Sequence, residues 1–242
     1  VNSTAMLLLM QEQNRLPHLV LFSDTGGERP ATYEHVELMD DWCSNRGIHF
    51  VVVRNTPESG DKTLEENCLR RKELPSLAYG FKGCSVKWKR QPMDRYLRDY
   101  GPAKQTWDSG QLVELYIGID AGEPNRAKLP PDKLYSYHYP LDEAGWAREE
   151  CVAAIREAGL PVPPKSSCFF CPAMRKHEVL DLGVEHPDLL ARALAIEANA
   201  DTHTTVGLGR AWRWRDLVET DRRQGRLFAS APPCDCMDGD DE

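Results

Sequence analysis

The sequence is short of several things, and each shortage removes a class of function. Long apolar runs are missing. The run from Ala5 to Met10 is far below the roughly 20 residues that cross a bilayer. No basic stretch followed by a longer apolar one marks a secretory signal. Surplus positive charge is missing as well, and a formal net charge of -8 argues against general affinity for nucleic acid backbone. There is no internal repeat and no long linker. A chain of 242 residues buries a proper core without disulfide staples. Its eight cysteines therefore point to a reducing, cytoplasmic setting, where grouped thiols bind metal or carry redox chemistry.

Part of the acidity is local. The closing stretch CDCMDGDDE holds five acids and no base, leaving 33 acids against 30 bases before it. We read residues 234–242 as a flexible acidic tail and residues 1–233 as one domain. Because the body is nearly neutral, a local basic groove is still allowed.

The first half alternates in α/β fashion. Asn2, Ser3 and Thr4 are capping-type residues ahead of strong helix formers, which predicts a helix from about Ser3 to Asn14. Residues 18–24 (HLVLFSD) and 48–54 (IHFVVVR) are short apolar runs suited to buried strands, and the helical spacing of residues 31–47 lies between them. Strand, helix, strand in this order implies a parallel pair with a right-handed crossover. Residues 93–101 read as a helix, 112–120 and 134–141 as further strands, and 142–160 as one amphipathic helix. The last third is mostly helical, and the helical, cysteine-bearing part starts at about residue 142. The expected fold is α/β: a doubly wound parallel sheet with a helical C-terminal portion.

Five stretches could carry chemistry. In LFSDTGGERP, the residues Ser23, Asp24, Thr25, Gly26, Gly27 and Glu28 fall where a parallel strand ends, the edge at which open α/β sheets bind ligands. Adjacent glycines let backbone approach a ligand, while the hydroxyls and acids bond a sugar or magnesium; a plain capped turn explains the composition equally well. GCSVKWKRQP sets Cys84, Lys87, Lys89 and Arg90 around Trp88, suited to phosphate or to nothing more than a solvated loop. SSCFFCP gives Cys168 and Cys171 the C-x-x-C spacing of a metal-binding turn, with Cys84 and Cys68 as third and fourth thiols and His177 as a competing ligand. Cys43 and Cys151 lie on apolar helix faces and read as core. IGIDAGEPNRA places Asp120, Glu123 and Arg126 after a strand end. Finally, GLGRAWRWRDLVETDRR interleaves Arg210, Arg213 and Arg215 with Trp212 and Trp214; it suits either a polyanion or base, or an ordinary helix start with one tryptophan buried.

Together these stretches resemble the phosphoadenosine phosphosulfate (PAPS) reductase family of the PP-loop adenine nucleotide α-hydrolase superfamily. DTGGERP is similar to the family's Asp-Thr-Gly-x-Glu-x-Pro segment, and GIDAGEPNRA to its Gly-x-x-x-x-Glu-x-x-Arg stretch. YPLDEAGW and CFFCP follow the family's order, and VNSTAML resembles the end of its Ser-Gly-Gly-x-Asp-Ser motif, with Asn2 in place of Asp. On that resemblance, the central strand and the Ser-Gly-Gly are expected just upstream of Val1.

The resemblance spans about residues 1–182. It implies ATP or PAPS with Mg2+ held by Asn2, Ser3, Thr4, Ser23, Asp24, Thr25, Gly26, Gly27, Glu28, Glu123 and Arg126. Catalytic roles fall to Ser3, Asp24 and Lys87, with Lys89 the alternative phosphate-binding lysine. A zinc ion or iron–sulfur cluster would be held by Cys84, Cys168, Cys171 and Cys68. The Glu-Cys-Gly-Leu-His motif of the sulfite-forming reductases is missing, and a single Cys84 stands where cluster-bearing members have a Cys-Cys pair. Both departures favour ATP-dependent adenylation with pyrophosphate release and sulfur transfer. The partners would be a nucleic-acid or small-molecule acceptor and a sulfur donor protein. Two other readings stay open: a sulfonucleotide reductase using Cys234 or Cys236, and a non-catalytic nucleotide- or nucleic-acid-binding module with a structural metal.

Overall fold

The computed structural model describes residues 1–123, 126 and 129–224. Helix α1 (Asn2–Glu12) is apolar on all sides, and Thr4 through Met10 are buried without a break. That pattern belongs to a helix enclosed by the fold, not one laid on its surface. β1 (Leu19–Asp24), α2 (Pro30–Ser44) and β2 (His49–Arg54) follow. Pro30 opens α2 at a position whose N–H needs no helical acceptor. β1 and β2 pair in parallel, from Leu19 opposite His49 to Asp24 opposite Arg54, so both strands end at one edge.

Helix α3 (Leu64–Arg71) is capped by Thr63, whose hydroxyl accepts from the Glu66 N–H. A 3₁₀ turn over Ser76–Tyr79 leads into a continuous helical run: α4 (Gly83–Ser85), a π-helical turn over Val86–Arg90, and α5 (Gln91–Asp99). After α6 (Gly101–Asp108), β3 (Val113–Tyr116) and β4 (Tyr135–His138) form a second parallel pair. α7 (Pro140–Glu143), α8 (Arg148–Glu157), α9 (Lys176–Glu185), α10 (Pro187–Asn199) and α11 (Trp214–Gln224) complete the described chain.

The fold is thus mixed α/β with parallel strands, but the expected single sheet is, among the described residues, two parallel pairs. They share a core: Leu19 and Leu21 of β1 pack with Val113 and Leu115 of β3 and Tyr135 of β4, over Leu97 and Ala103. A second cluster wraps α1 with Trp42, Cys43, Leu141, Cys151 and Ile155. The third and largest joins α3, the π turn and α9–α11.

Three expected elements are shorter than their apolar patterns; the strand expected over 134–141 ends at His138, because Pro140 cannot continue the ladder and opens α7. The strand expected over 112–120 stops at Tyr116 because Gly118 lies against the first turn of α1, where a Cβ would stand 2.9 Å from the Ser3 nitrogen. The helix expected over 142–160 is broken at Gly145 (φ 69°) into α7 and α8, which lets Leu141 and Ile155 both reach the core around α1. No helix among the described residues is long and apolar enough to cross a membrane. Cys234, Cys236 and the acidic tail lie outside the described residues.

Candidate functional site

The turn after β1 is buried and almost fully bonded. Both Asp24 carboxylate oxygens are in use: Oδ2 takes a bidentate pair from Arg54 (2.9 and 2.6 Å), and Oδ1 accepts from the Tyr33 hydroxyl (2.9 Å) and the Gly26 N–H (2.7 Å). Asp24 therefore locks the turn to β2 and α2. Burial, then the Asp24 bond, pushes the Tyr33 phenol well above its ordinary pKa. Ser23 donates to the Lys89 carbonyl at 2.6 Å, tying the strand end to the π turn.

The glycines have a packing explanation. A Cβ on Gly26 would stand 2.3 Å from Thr63 Cγ2, and one on Gly27 would stand 2.6 Å from Phe170 Cε1. Gly26 also sits at φ 73°, in the left-handed region. The close approach expected of a ligand is thus made by the protein itself: by α3 on one side and the C-x-x-C segment on the other.

That second contact joins the strand edge to the cysteines. The Phe169 N–H donates to the Gly27 carbonyl (2.8 Å), and Glu28 and Cys168 form an antiparallel bridge. Thr25 Oγ1 and Cys168 Sγ share a hydrogen bond of 3.0 Å, and the Cys168 thiol donates to Glu28 Oε1 at 3.9 Å. Lys89 donates to the same Glu28 oxygen at 3.2 Å. Burial lowers the Lys89 pKa, but Glu28 and the thiols of Cys168 and Cys171 outweigh it, so the ammonium is held charged. The other oxygen, Glu28 Oε2, is buried with no hydrogen-bond partner. Such an atom costs free energy unless something else in the working protein meets it.

Four cysteines from three segments pack in this one cluster: Cys68 on α3, Cys84 on α4, and Cys168 and Cys171 on a turn closed by the Cys171 N–H to the Cys168 carbonyl (3.0 Å). All four are free thiols. They lie near enough to act on one another: Cys84 and Cys168 raise the Cys68 pKa, and Cys84 raises that of Cys171. Burial, above all, pushes Cys68 and Cys168 up to about 12. The donor set suits zinc or an iron–sulfur cluster in number and chemistry. Among the described residues, however, no three His, Cys, Asp or Glu groups are gathered in ligating geometry. His177 is exposed on α9, and Cys43 and Cys151 are buried around α1, as expected of them.

The N-terminus of α1 forms a separate part of the edge. Asn2 donates to Asp120 Oδ2 (2.7 Å), Asp120 Oδ1 accepts from the Gly122 N–H (3.0 Å), and Ser3 is exposed on the first turn. Thr4 is buried and bonded to His35 at 2.9 Å, so it faces the interior. Glu123 and Arg126 pair with each other at 2.5 Å, mostly in solvent.

Of the lysines, Lys89 reaches the cluster, whereas Lys87 is exposed. Sequence reasoning missed Arg54 and Tyr33. The signal for Arg54 was register: two parallel strands each ending in a charged residue bring Asp24 opposite Arg54. Comparison of the chain with family models, with curated proteins and with solved structures found no match.

Proposed function

We propose that this chain is an ATP-binding PP-loop enzyme of the PAPS reductase-like type, acting in the cytoplasm. It activates an acceptor by adenylation with release of pyrophosphate and transfers sulfur to it. The observation that carries this reading is the 3.0 Å bond between Thr25 and Cys168. It makes the strand edge suited to a nucleotide and the thiol cluster one continuous site.

In this reading the first-turn N–H groups of α1 and the Ser3 hydroxyl bind phosphate, because a helix N-terminus presents unsatisfied donors and a positive dipole end. Asp24 and Asp120 act as positioning residues that fix the edges of the pocket through Arg54 and Asn2. Lys89 holds positive charge beside the thiols, where it would offset the thiolate charge of Cys68, Cys84, Cys168 and Cys171 if they held a metal and released their protons to solvent. A bound zinc ion or iron–sulfur cluster would supply a thiolate-held centre for handling sulfur, and Mg2+ would accompany the triphosphate.

Calorimetric titration of ATP and of PAPS into the protein, with a parallel pyrophosphate assay, tests the proposal. ATP is expected to bind and release pyrophosphate, and Ser3→Ala to weaken binding by about tenfold or more, since a hydrogen bond to a charged group contributes roughly 1.5–3 kcal/mol. Failure of both nucleotides to bind overturns the reading. Sulfite release from PAPS in place of pyrophosphate release from ATP replaces it with the reductase.

A further inference from the structure

A cavity of about 800 Å³ is lined among others by Tyr79, Gly80, His203, Thr205, Arg210 and Trp212. Its two walls are the 3₁₀ turn over Ser76–Tyr79 and the loop between α10 and α11. The first wall is tied to the cysteines, because the Cys84 N–H donates to Ser76 Oγ at 2.6 Å. The second is tied to the first, because Thr205 donates to the Ala78 carbonyl at 3.1 Å. Tyr79 and Trp212 both pack on the cluster that holds the thiols.

The loop is held in a costly shape. Arg210 has φ 67°, a left-handed backbone that a side chain rarely adopts, and backbone bonds from Val206 to Arg210 and from Arg210 to Gly207 keep it there. Buried Glu197 anchors the same loop by accepting from the N–H groups of Leu208, Trp214 and Arg215 (2.8, 3.0 and 3.0 Å). The Trp212 indole lies directly on the Gly209 backbone, where a Cβ would come within 2.2 Å of the ring. It is stacked near-parallel on the fully buried Trp214, 15° apart with centroids at 6.5 Å, and Lys176 Nζ lies 5.9 Å from its centre. The Arg210 guanidinium reaches across toward Gly80. Among the described residues Arg210, which lines the cavity, pairs with no carboxylate, whereas Arg213 donates to the Val206 carbonyl at 3.0 Å.

The rings of Tyr79 and Trp212 and the guanidinium of Arg210, which all line the cavity, are the parts that stack a base and hold its phosphate. We infer that this cavity binds a base and adjoining phosphate of single-stranded nucleic acid, which makes it the acceptor side of the thiol cluster. The chemical role rests on the sulfur-transfer reading; the binding does not. Six unpaired strand nucleotides are enough to test it, since the cavity takes a base at a time and a duplex keeps its bases stacked inside.

The test is fluorescence anisotropy of labelled dT6 and U6 against the full chain, with a hairpin duplex as comparison and ATP binding followed separately. Single strands are expected to bind and the duplex to bind at least tenfold more weakly. Trp212→Leu should weaken single-strand binding by about tenfold. Arg210→Gly should weaken it severalfold and flatten the slope of log affinity against log salt by about 0.7. Glycine accepts the left-handed backbone, so this variant should fold with an unchanged or higher melting temperature, which separates lost binding from lost structure. ATP binding should be unchanged in both variants. No single-strand binding, equal binding of the duplex, or indifference to both substitutions overturns the inference, whatever ATP does. Single-strand binding without ATP binding leaves the cavity's role standing and removes the sulfur-transfer reading.

Discussion

Replacing Gly27 with alanine separates two explanations of the glycine pair. A glycine kept for ligand approach would tolerate a methyl group in the free protein and lose only binding. The geometry says otherwise: the new Cβ would stand 2.6 Å from Phe170 Cε1 and 3.1 Å from Cζ, and Phe170 is fully buried between the turn and Phe169. Neither ring can swing outward, so the overlap is relieved by shifting the backbone or forcing a side chain off its rotamer. Overpacking of this kind costs about 1–3 kcal/mol. With a urea m-value of about 3 kcal/mol/M for a chain of this size, the unfolding midpoint should fall by about 0.3–1 M. Phe170→Leu removes the two ring atoms that clash, so the double variant should be more stable than the sum of the single changes predicts, by about 1 kcal/mol. The assay is urea denaturation of the four proteins followed by tryptophan fluorescence. A Gly27→Ala midpoint equal to wild type, or strictly additive effects, would refute the packing explanation and return the glycine to the ligand.

Three further outcomes follow from the same geometry. Glu197→Ala leaves the buried N–H groups of Leu208 and Trp214 without an acceptor and should cost about 3 kcal/mol, read as a lowered urea midpoint with loss of near-ultraviolet tryptophan dichroism. The thiols of Cys68 and Cys168 are raised to about 12, above the roughly 8.5 of an unfolded thiol. Metal-free protein should therefore keep their stabilising contribution in full below pH of about 8.5 and lose it progressively as pH climbs toward the folded values. Zinc affinity, measured by chelator competition, should rise with pH over the same groups because each ligating thiol gives up a proton. Single serine replacements of Cys68, Cys84, Cys168 and Cys171 should each release metal from protein purified without oxygen, whereas Cys43→Ser and Cys151→Ser should retain it; full metal in Cys84→Ser removes that residue from the centre.

Much of the architecture was legible because it is local. The apolar character of residues 5–10 and the short runs ending at Asp24 and Arg54 each act within one element. What was hidden depends on pairs distant in sequence. The role of Gly27 is set by Phe170, and the stop of β3 by Gly118 lying on Ser3. The break at Gly145 is invisible to periodicity because both fragments present apolar residues to the same core. For the site, spacing marked Cys168 and Cys171 and offered Cys84 and Cys68 as third and fourth thiols, and all four pack in one apolar cluster. Asp24 could not be told from a metal ligand by sequence, since its use by Arg54, Tyr33 and Gly26 is fixed only when two strands and a helix meet.

The π-helical turn over Val86–Arg90 sets how length variation would act on this protein. A π turn holds one residue more than the α-helix it interrupts, so neighbouring side chains emerge at unusual angles. Here it buries Trp88 in the core while the next residue, Lys89, stretches its ammonium to Glu28. Deleting a single residue between Ser85 and Gln91 would close the π turn and leave Pro92, which has no N–H to donate, inside a regular helix. It would also rotate either the tryptophan out of the interior or the lysine away from the thiols. Tolerance to shortening should therefore be low in this helical stretch, where the proline and the packing both depend on the extra residue.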